Sequence, residues 1–116
     1  MSIKQHMTDH LSALRRGDID ALLAHYNEQS VLIHQQGIAR GLSEIKAMLE
    51  FFLSNVIPPA STTLDLQVEY IHDNVGYITW ASESDLFTIE FATDTMVFDG
   101  DIIVVQTSAG IMIAKE

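Results

Sequence analysis

The segment from residue 88 to residue 101, TIEFATDTMVFDGD, constrains the fold of this chain more than any other. Its alternation of apolar and polar residues predicts a long strand, and Asp99-Gly100 is typical of a two-residue hairpin turn. Strand patterns recur from residue 61 onward, at residues 62–71, 76–84, 87–98 and 101–113. Because only short turn sequences separate them, the second half of the chain is predicted to be an antiparallel meander.

The face of the strand that carries Asp94 is predicted to be buried. Ala92, Met96 and Phe98 lie on that face, because successive side chains of a strand alternate between its two sides. A buried carboxylate is costly unless another group pairs with it, and His10, on the apolar stripe of the first helix, could be that partner. Asp94 is therefore a candidate pocket residue.

Helical patterns occupy most of the first half of the chain. Residues 3–16 carry apolar side chains at helical spacing, Asp18 can cap a short second helix, and residues 42–54 form a third. A short strand is predicted at residues 30–35. His25 lies off the apolar face of the second helix, so we expect it to be solvated. Helices followed by a meander predict an α+β fold in which the helices cover one face of a strongly curled sheet.

Composition bounds the size and the partners of the protein. A chain of 116 residues with 47% hydrophobic residues is expected to form one domain, residues 1–116. The formal charge is −10, and no Lys or Arg lies between residues 47 and 114, which argues against nucleic acid and anionic membranes as partners. The first residues lack the apolar core of a signal peptide, so a cytoplasmic location is expected. Nothing in the sequence implies a cofactor, and there is no Cys to form a thiolate metal site.

Three stretches carry a resemblance to a known superfamily. They are GDIDALLAHYNEQSVLIHQQG, Arg40-Gly41 at the start of a helix, and DTMVFDGD near the end. In this order they resemble the nuclear transport factor two-like superfamily, and within it the SnoaL-like and ketosteroid-isomerase-like proteins, over essentially the whole chain. The resemblance implies a cone-shaped half-barrel, with three N-terminal helices packed in the concave face of a curved, mostly antiparallel sheet. The superfamily includes isomerases, dehydratases, cyclases, hydrolases and plain binding domains.

The resemblance also implies roles for four residues. His10 stands where the isomerases have a tyrosine that donates to the substrate oxygen, and His34 stands where they have the general-base aspartate. Asp94 matches their protonated, oxygen-stabilising aspartate, and Tyr26 matches a supporting tyrosine. A histidine near its ordinary pKa is also well suited to moving protons at neutral pH.

Two departures argue against steroid isomerisation itself. Leu49 replaces a tyrosine of the bacterial isomerases, and Ala109 replaces an aromatic residue of their last strand. The side chains expected to contact a ligand are Tyr26, Leu32, Leu49, Phe52, Glu90, Ala92, Met96 and Ala109. The acidic and mostly apolar lining predicts a small neutral or cationic organic ligand.

The predicted chemistry is proton abstraction next to a carbonyl or a similarly activated position. His34 would be the base, and His10 and Asp94 would face the oxygen on which negative charge develops. One of that pair must carry a proton, either as an imidazolium at His10 or as a protonated Asp94. Isomerisation, dehydration and cyclisation all remain open.

Two other functions stay open beside this one. A non-catalytic ligand-binding or protein-interaction domain is the stronger alternative, because no nucleophile has an obvious base. Two histidines and one carboxylate are also the ligand set of non-haem iron sites, although no metal ligand is assigned. The opposite face of the strands is predicted to be apolar and to pair in a homodimer; it carries Phe87, Ile89, Phe91, Val97, Ile102 and Val104.

Overall fold

The computed structural model describes residues 2–116, which form three helices and six strands. In chain order these are α1 Ile3–Arg16, α2 Ile19–Leu23, β1 Val31–His34, β2 Gly37–Arg40, α3 Gly41–Asn55, β3 Thr63–His72, β4 Val75–Glu83, β5 Phe87–Asp99 and β6 Ile102–Ala114. The predicted elements are confirmed with small shifts at their ends. The prediction missed β2, because the polar residues before it were taken as the end of a single strand. None of these helices, all within residues 2–116, is both long and apolar enough to cross a membrane.

A sharp corner joins the first two helices. Gly17 ends α1 with φ 67°, a left-handed conformation that glycine adopts without strain. Asp18 begins α2, and its carboxylate accepts the N–H of Ala21 at 3.1 Å. The corner folds α2 back along α1, so that His25, just after α2, comes to lie beside His10 of α1.

The six strands form one curved, unclosed sheet in the order β2-β1-β6-β5-β4-β3. Every neighbouring pair is antiparallel except β1 and β6, which run parallel. The three helices pack against this sheet. The predicted α+β architecture, a cone with helices in the concave face of a mostly antiparallel sheet, is confirmed.

A bulge in β5 changes which of its side chains face inward. The register of β5 shifts between Ile89 and Phe91 against β6, and one extra residue of β5 is accommodated against β4 as well. Ile89 is therefore buried, with 2% of its surface exposed, while Glu90 is exposed. The predictions that Glu90 faces the cavity and that Ile89 lies on the outer face are both wrong.

A second irregularity lies where β5 meets β6. The loop between them consists of Gly100, with φ 58°, and Asp101, one residue later than predicted. The register shifts again beyond the loop, and Asp94 comes to lie opposite Ser108. Ser108 thus faces inward, and its neighbour Ala109 is exposed on the other side. The prediction that Ala109 lines the ligand cavity is wrong.

The outer face of the sheet is rich in exposed apolar side chains. Phe91 and Ile111, which are paired on β5 and β6, are 45% and 54% exposed. Around them the same face exposes Ile33, Ile38, Tyr70, Val105 and Ile113. This group of seven residues is called the outer apolar face below.

Candidate active site

A cavity of about 370 Å³ lies between the inner face of the sheet and helices α1 and α3. Its wall is mostly apolar, and the helices supply Leu11, Leu14, Met48, Leu49 and Phe52 to it. The polar side chains that line it are His10, His34, Gln36, Asp94, Gln106 and Ser108. A mostly apolar cavity with a few polar groups is the usual form of a small-molecule site.

The structure brings the three predicted polar residues together. His10, His34 and Asp94 come from α1, β1 and β5, and all three line the cavity. Of the other predicted contacts, the cavity wall includes Leu32, Leu49, Phe52 and Met96 and leaves out Tyr26, Glu90, Ala92 and Ala109. Ala92 and Ala109 border an adjoining recess of about 10 Å³. The catalytic roles of the three polar residues stay predictions.

Asp94 accepts three side-chain hydrogen bonds from the two neighbouring strands. The indole N–H of Trp80 and the hydroxyl of Ser108 donate to Oδ1, at 2.9 and 3.0 Å, and Gln106 Nε2 donates to Oδ2 at 2.7 Å. Burial raises the pKa of Asp94 above its ordinary value of 3.8, and the three donors oppose that shift. The predicted pairing of Asp94 with His10 is wrong, because these neutral donors take that place.

Tyr26 lies behind the cavity wall and holds Gln106. Its hydroxyl donates to Gln106 Oε1 at 2.5 Å and lies 3.5 Å from His10 Nε2. Burial raises the pKa of Tyr26, and the nearby Asp94 carboxylate adds to the shift. Tyr26 therefore keeps its proton and acts on Asp94 through the amide of Gln106.

His10 is a neutral residue in contact with a second histidine. Its Nδ1 lies 2.9 Å from Nδ1 of His25, and the side chain is 3% exposed. Burial, and to a lesser extent His25, lowers the pKa of His10 to about 3. The predicted imidazolium at His10 is therefore excluded near neutral pH. The prediction that His25 is solvated is also wrong, because it is half-buried against His10.

His34 lies at the end of β1, half-buried, with its ring edge against Phe52 at a centroid distance of 6.2 Å. Its Nδ1 accepts the backbone N–H of Gln36 at 3.3 Å. Burial lowers the pKa of His34, so the ring is neutral at neutral pH. With Nδ1 accepting, the proton of the neutral ring lies on Nε2.

Sequence reasoning missed the side chains that hold Asp94. Trp80 and Gln106 lie on neighbouring strands, and their contact with Asp94 depends on a register that the two irregularities of β5 and β6 determine. One signal was present in the sequence, since Gln106 is a single amide directly after the apolar run IIVV. Within residues 2–116, no three His, Asp or Glu side chains lie close enough together to hold one metal ion.

Three helices in the concave face of a curved six-stranded sheet, with a cavity between the two layers, define a nuclear transport factor two-like protein. The family model for the SnoaL-like domain matches residues 3–101, and the chain belongs to this family. No curated protein sequence matches the chain.

Solved structures with the same fold extend over nearly the whole chain. A protein from Kribbella flavida has a TM-score of 0.80 at 12% identity, covering 92% of this chain and 84% of its own. A candidate SnoaL-like polyketide cyclase from Shewanella denitrificans has a TM-score of 0.76 at 14% identity, covering 94% and 90%. A protein with a ketosteroid isomerase-like fold from Catenulispora acidiphila, in complex with trimethylamine, has a TM-score of 0.73 at 10% identity, covering 89% and 82%. At these identities the likeness shows the fold alone.

Proposed function

We propose that this protein binds a small, neutral and largely apolar organic molecule in the cavity and catalyses a proton transfer next to its carbonyl group. The observation that carries this proposal is Asp94, a buried carboxylate in the wall of a mostly apolar cavity. Enzymes tune carboxyl groups by such burial so that they can take up and return protons near neutral pH. The reaction class is that of an isomerase, a lyase or a cyclase.

The size and the lining of the cavity support a compact ligand. A volume of about 370 Å³ lies toward the lower end of the range for small-molecule sites. No Lys or Arg of residues 2–116 lines the wall, so a phosphate or a polycarboxylate would meet Asp94 without a compensating cation. The Catenulispora protein of the same fold holds trimethylamine, a small amine and not an anion. A neutral or cationic molecule is therefore favoured.

Asp94 is the base in this proposal. Its three donors satisfy an ionised carboxylate, and Oδ2 accepts only from Gln106, which leaves Oδ2 able to accept one more proton. In the first step the substrate C–H bond breaks, its proton goes to Oδ2, and its electron pair moves onto the carbonyl oxygen as an enolate. Asp94 then returns the proton to another carbon, to a leaving hydroxyl group or to the oxygen of an aldehyde attacked by the enolate. These outcomes are isomerisation, dehydration and cyclisation.

His34 is the donor to the enolate oxygen in this proposal, which reverses the polarity predicted from the sequence. The Gln36 N–H at Nδ1 favours the neutral ring with its proton on Nε2, and that ring offers a donor and no free acceptor. A neutral imidazole that donates to a developing oxyanion needs no ionised partner. The opposite assignment, with His34 as the base and a protonated Asp94 as the donor, is separated from this one by experiment.

One observation favours non-catalytic binding as a second candidate function. Asp94 already has three internal hydrogen bonds, and a buried carboxylate with such bonds can have a purely structural role, here holding strands β4, β5 and β6 together. In that case ligands would bind in the apolar part of the cavity without turnover.

Hydrogen exchange tests the proposed function without knowledge of the natural substrate. Cyclic and open-chain ketones, neutral, cationic and anionic, are first screened for binding by thermal shift. Each binder is then incubated with the protein in D₂O, and deuterium next to the carbonyl is measured by mass spectrometry. We expect catalysed exchange in at least one neutral or cationic binder. Saturable binding without exchange in any compound would favour the non-catalytic function.

Matched variants assign the roles of the two residues. Asp94→Asn should reduce exchange by about 100-fold or more, the usual contribution of a general base. Glu90→Gln removes a carboxylate four residues away on the same strand, but an exposed one, and should leave exchange unchanged. His34→Gln retains an N–H near the position of Nε2 and should keep more activity than His34→Ala. Equal losses in the two His34 variants would support His34 as the base.

We also propose that the protein is a homodimer that pairs through the outer apolar face, as expected for a sheet with apolar residues on both sides. A cytoplasmic location stays a prediction.

A further inference from the structure

A row of five side chains runs from Asp94 in the cavity wall to the half-buried His25, with both of these included. Nδ1 of His25 lies 2.9 Å from Nδ1 of His10, and Nε2 of His10 lies 3.5 Å from the hydroxyl of Tyr26. That hydroxyl lies 2.5 Å from Gln106 Oε1, and Gln106 Nε2 lies 2.7 Å from Asp94 Oδ2. We call this row the relay.

The ionised form of Asp94 determines the direction of every hydrogen bond in the relay. A carboxylate only accepts, so the amide of Gln106 presents Nε2 to it and presents Oε1 to Tyr26. Tyr26 gives its single proton to Oε1, and its oxygen then accepts from Nε2–H of His10. His10 is neutral and has a single ring proton, which lies on Nε2. Its Nδ1 therefore carries no proton and accepts from Nδ1–H of His25.

A proton on Asp94 would reverse the same sequence of bonds. The carboxylic acid would donate to Gln106 Oε1 after the amide turns over, and Nε2 of Gln106 would donate to Tyr26. Tyr26 would donate to Nε2 of His10, which leaves the proton of His10 on Nδ1, facing His25. His25 would then accept at Nδ1 and carry its own proton on Nε2.

We propose that the relay couples the tautomer of His25 to the ionisation of Asp94, so that His25 is a positioning residue for the carboxylate. His25 in the Nδ1–H form stabilises the direction in which Gln106 donates to Asp94. The amide of Gln106 turns over and passes no proton on. His10 and His25 each lose one ring proton to solvent and take up one from solvent at the other ring nitrogen, so both rings stay neutral. The coupling itself does not depend on the proposed function; only its contribution to catalysis rests on the proposed role of Asp94 as a base.

His25 also faces charged and titratable groups outside the relay. Burial lowers the pKa of His25; His6 of α1 adds to that shift and Asp9 of α1 opposes it. His6 is itself bonded to Asp101 at 3.0 Å. Because these groups lie close to His25, the test holds the pH constant and changes Asp94 by substitution.

Nitrogen-15 NMR of the histidine rings tests the proposal directly. In the wild-type protein, at a pH where Asp94 is ionised, we expect His25 to be protonated at Nδ1 and His10 at Nε2. Asp94→Asn offers an amide that can donate to Gln106 Oε1, as the carboxylic acid would, and should move the proton of His25 to Nε2. The measurement on the wild-type protein is decisive even if the variant does not fold. His25 protonated at Nε2 in the folded wild type would overturn the proposal.

Two further variants distinguish coupling from a general structural change. Tyr26→Phe removes the central link, so adding Asp94→Asn to it should leave the tautomer of His25 as Tyr26→Phe alone sets it. Glu90→Gln should leave both histidines in their wild-type forms. A change at His25 that persists without the Tyr26 hydroxyl would contradict coupling through the relay. Because no substrate is present, these results stand whether or not the protein catalyses exchange.

Discussion

The indole N–H of Trp80 donates to Oδ1 of Asp94 across 2.9 Å, from β4 to β5 inside the cavity. Trp80 is the only tryptophan of the chain. One resolved indole signal therefore reports the charge of Asp94, because a hydrogen bond to an ionised acceptor is stronger than one to a neutral acceptor.

This contact predicts the titration of the Trp80 signal. Burial raises the pKa of Asp94, so the ¹H and ¹⁵N shifts of the indole N–H should change with a midpoint above 3.8. The same signal should lose this titration in Asp94→Asn and keep it in Glu90→Gln. A midpoint at or below 3.8 in the folded protein would show that the three donors outweigh burial.

The burial of His10 predicts a loss of stability in acid. The pKa of His10 is about 3 in the folded protein, whereas its ordinary value, taken for the unfolded chain, is 6.5. Between these two pH values the unfolded state therefore binds more protons than the folded state. The free energy of unfolding should therefore fall as pH decreases from about 6.5 toward 3, by up to about 1.4 kcal/mol per pH unit from this residue. Urea unfolding across that range measures it. The slope should be shallower in His10→Leu and unchanged in His72→Gln, which alters an exposed ring.

The close contact of Met7 with Gly76 predicts an overpacked variant. A Cβ at residue 76 would lie 2.2 Å from the buried sulfur of Met7, where α1 crosses β4. Gly76→Ala should reduce the free energy of unfolding by about 1–3 kcal/mol. Gly37→Ala meets no atom within 4 Å and should change it by about 0.5 kcal/mol or less. Equal effects of the two substitutions would contradict this packing.

The outer apolar face predicts the assembly. Phe91→Glu places a charge at the centre of the proposed dimer contact and should give a monomer in analytical ultracentrifugation, whereas the wild type sediments as a dimer. Phe51→Glu is the matched control, because Phe51 is 58% exposed but lies on α3 beside the cavity. A wild-type protein that stays monomeric at high concentration would contradict the dimer.

Periodicity was sufficient to predict most of this fold. The helical spacing in α1 and α3 and the alternation in β3 to β6 placed those elements within two residues of their observed ends. The same alternation identified Asp94 as an inward-facing carboxylate, because the register shift between Val97 and Phe98 places its extra residue in β6 and leaves the alternation of β5 from Ala92 to Phe98 intact. Strand β2 has only four residues and follows a polar turn, which gave no separate pattern.

The errors came from features that alternation does not contain. One extra residue in a strand reverses the inward and outward assignment of everything beyond it, which misplaced Glu90 and Ile89. Ala109 was placed in the cavity by the family resemblance and not by alternation, and the register of β6 turns it to the outer side of the sheet. His25 was misplaced for another reason, since its contact with His10 arises from the corner between α1 and α2. The partners of Asp94 depend on the register of three strands at once.

The pH dependence of deuterium exchange, measured beside the titration of the Trp80 signal in the same protein, tests the role of Asp94 most directly. With Asp94 as the base, the exchange rate at saturating ligand should rise with pH, and its midpoint should match that of the Trp80 signal in the same complex. Asp94→Asn should remove this dependence. An exchange rate that falls as Asp94 loses its proton would contradict the account and make the protonated carboxyl the required form.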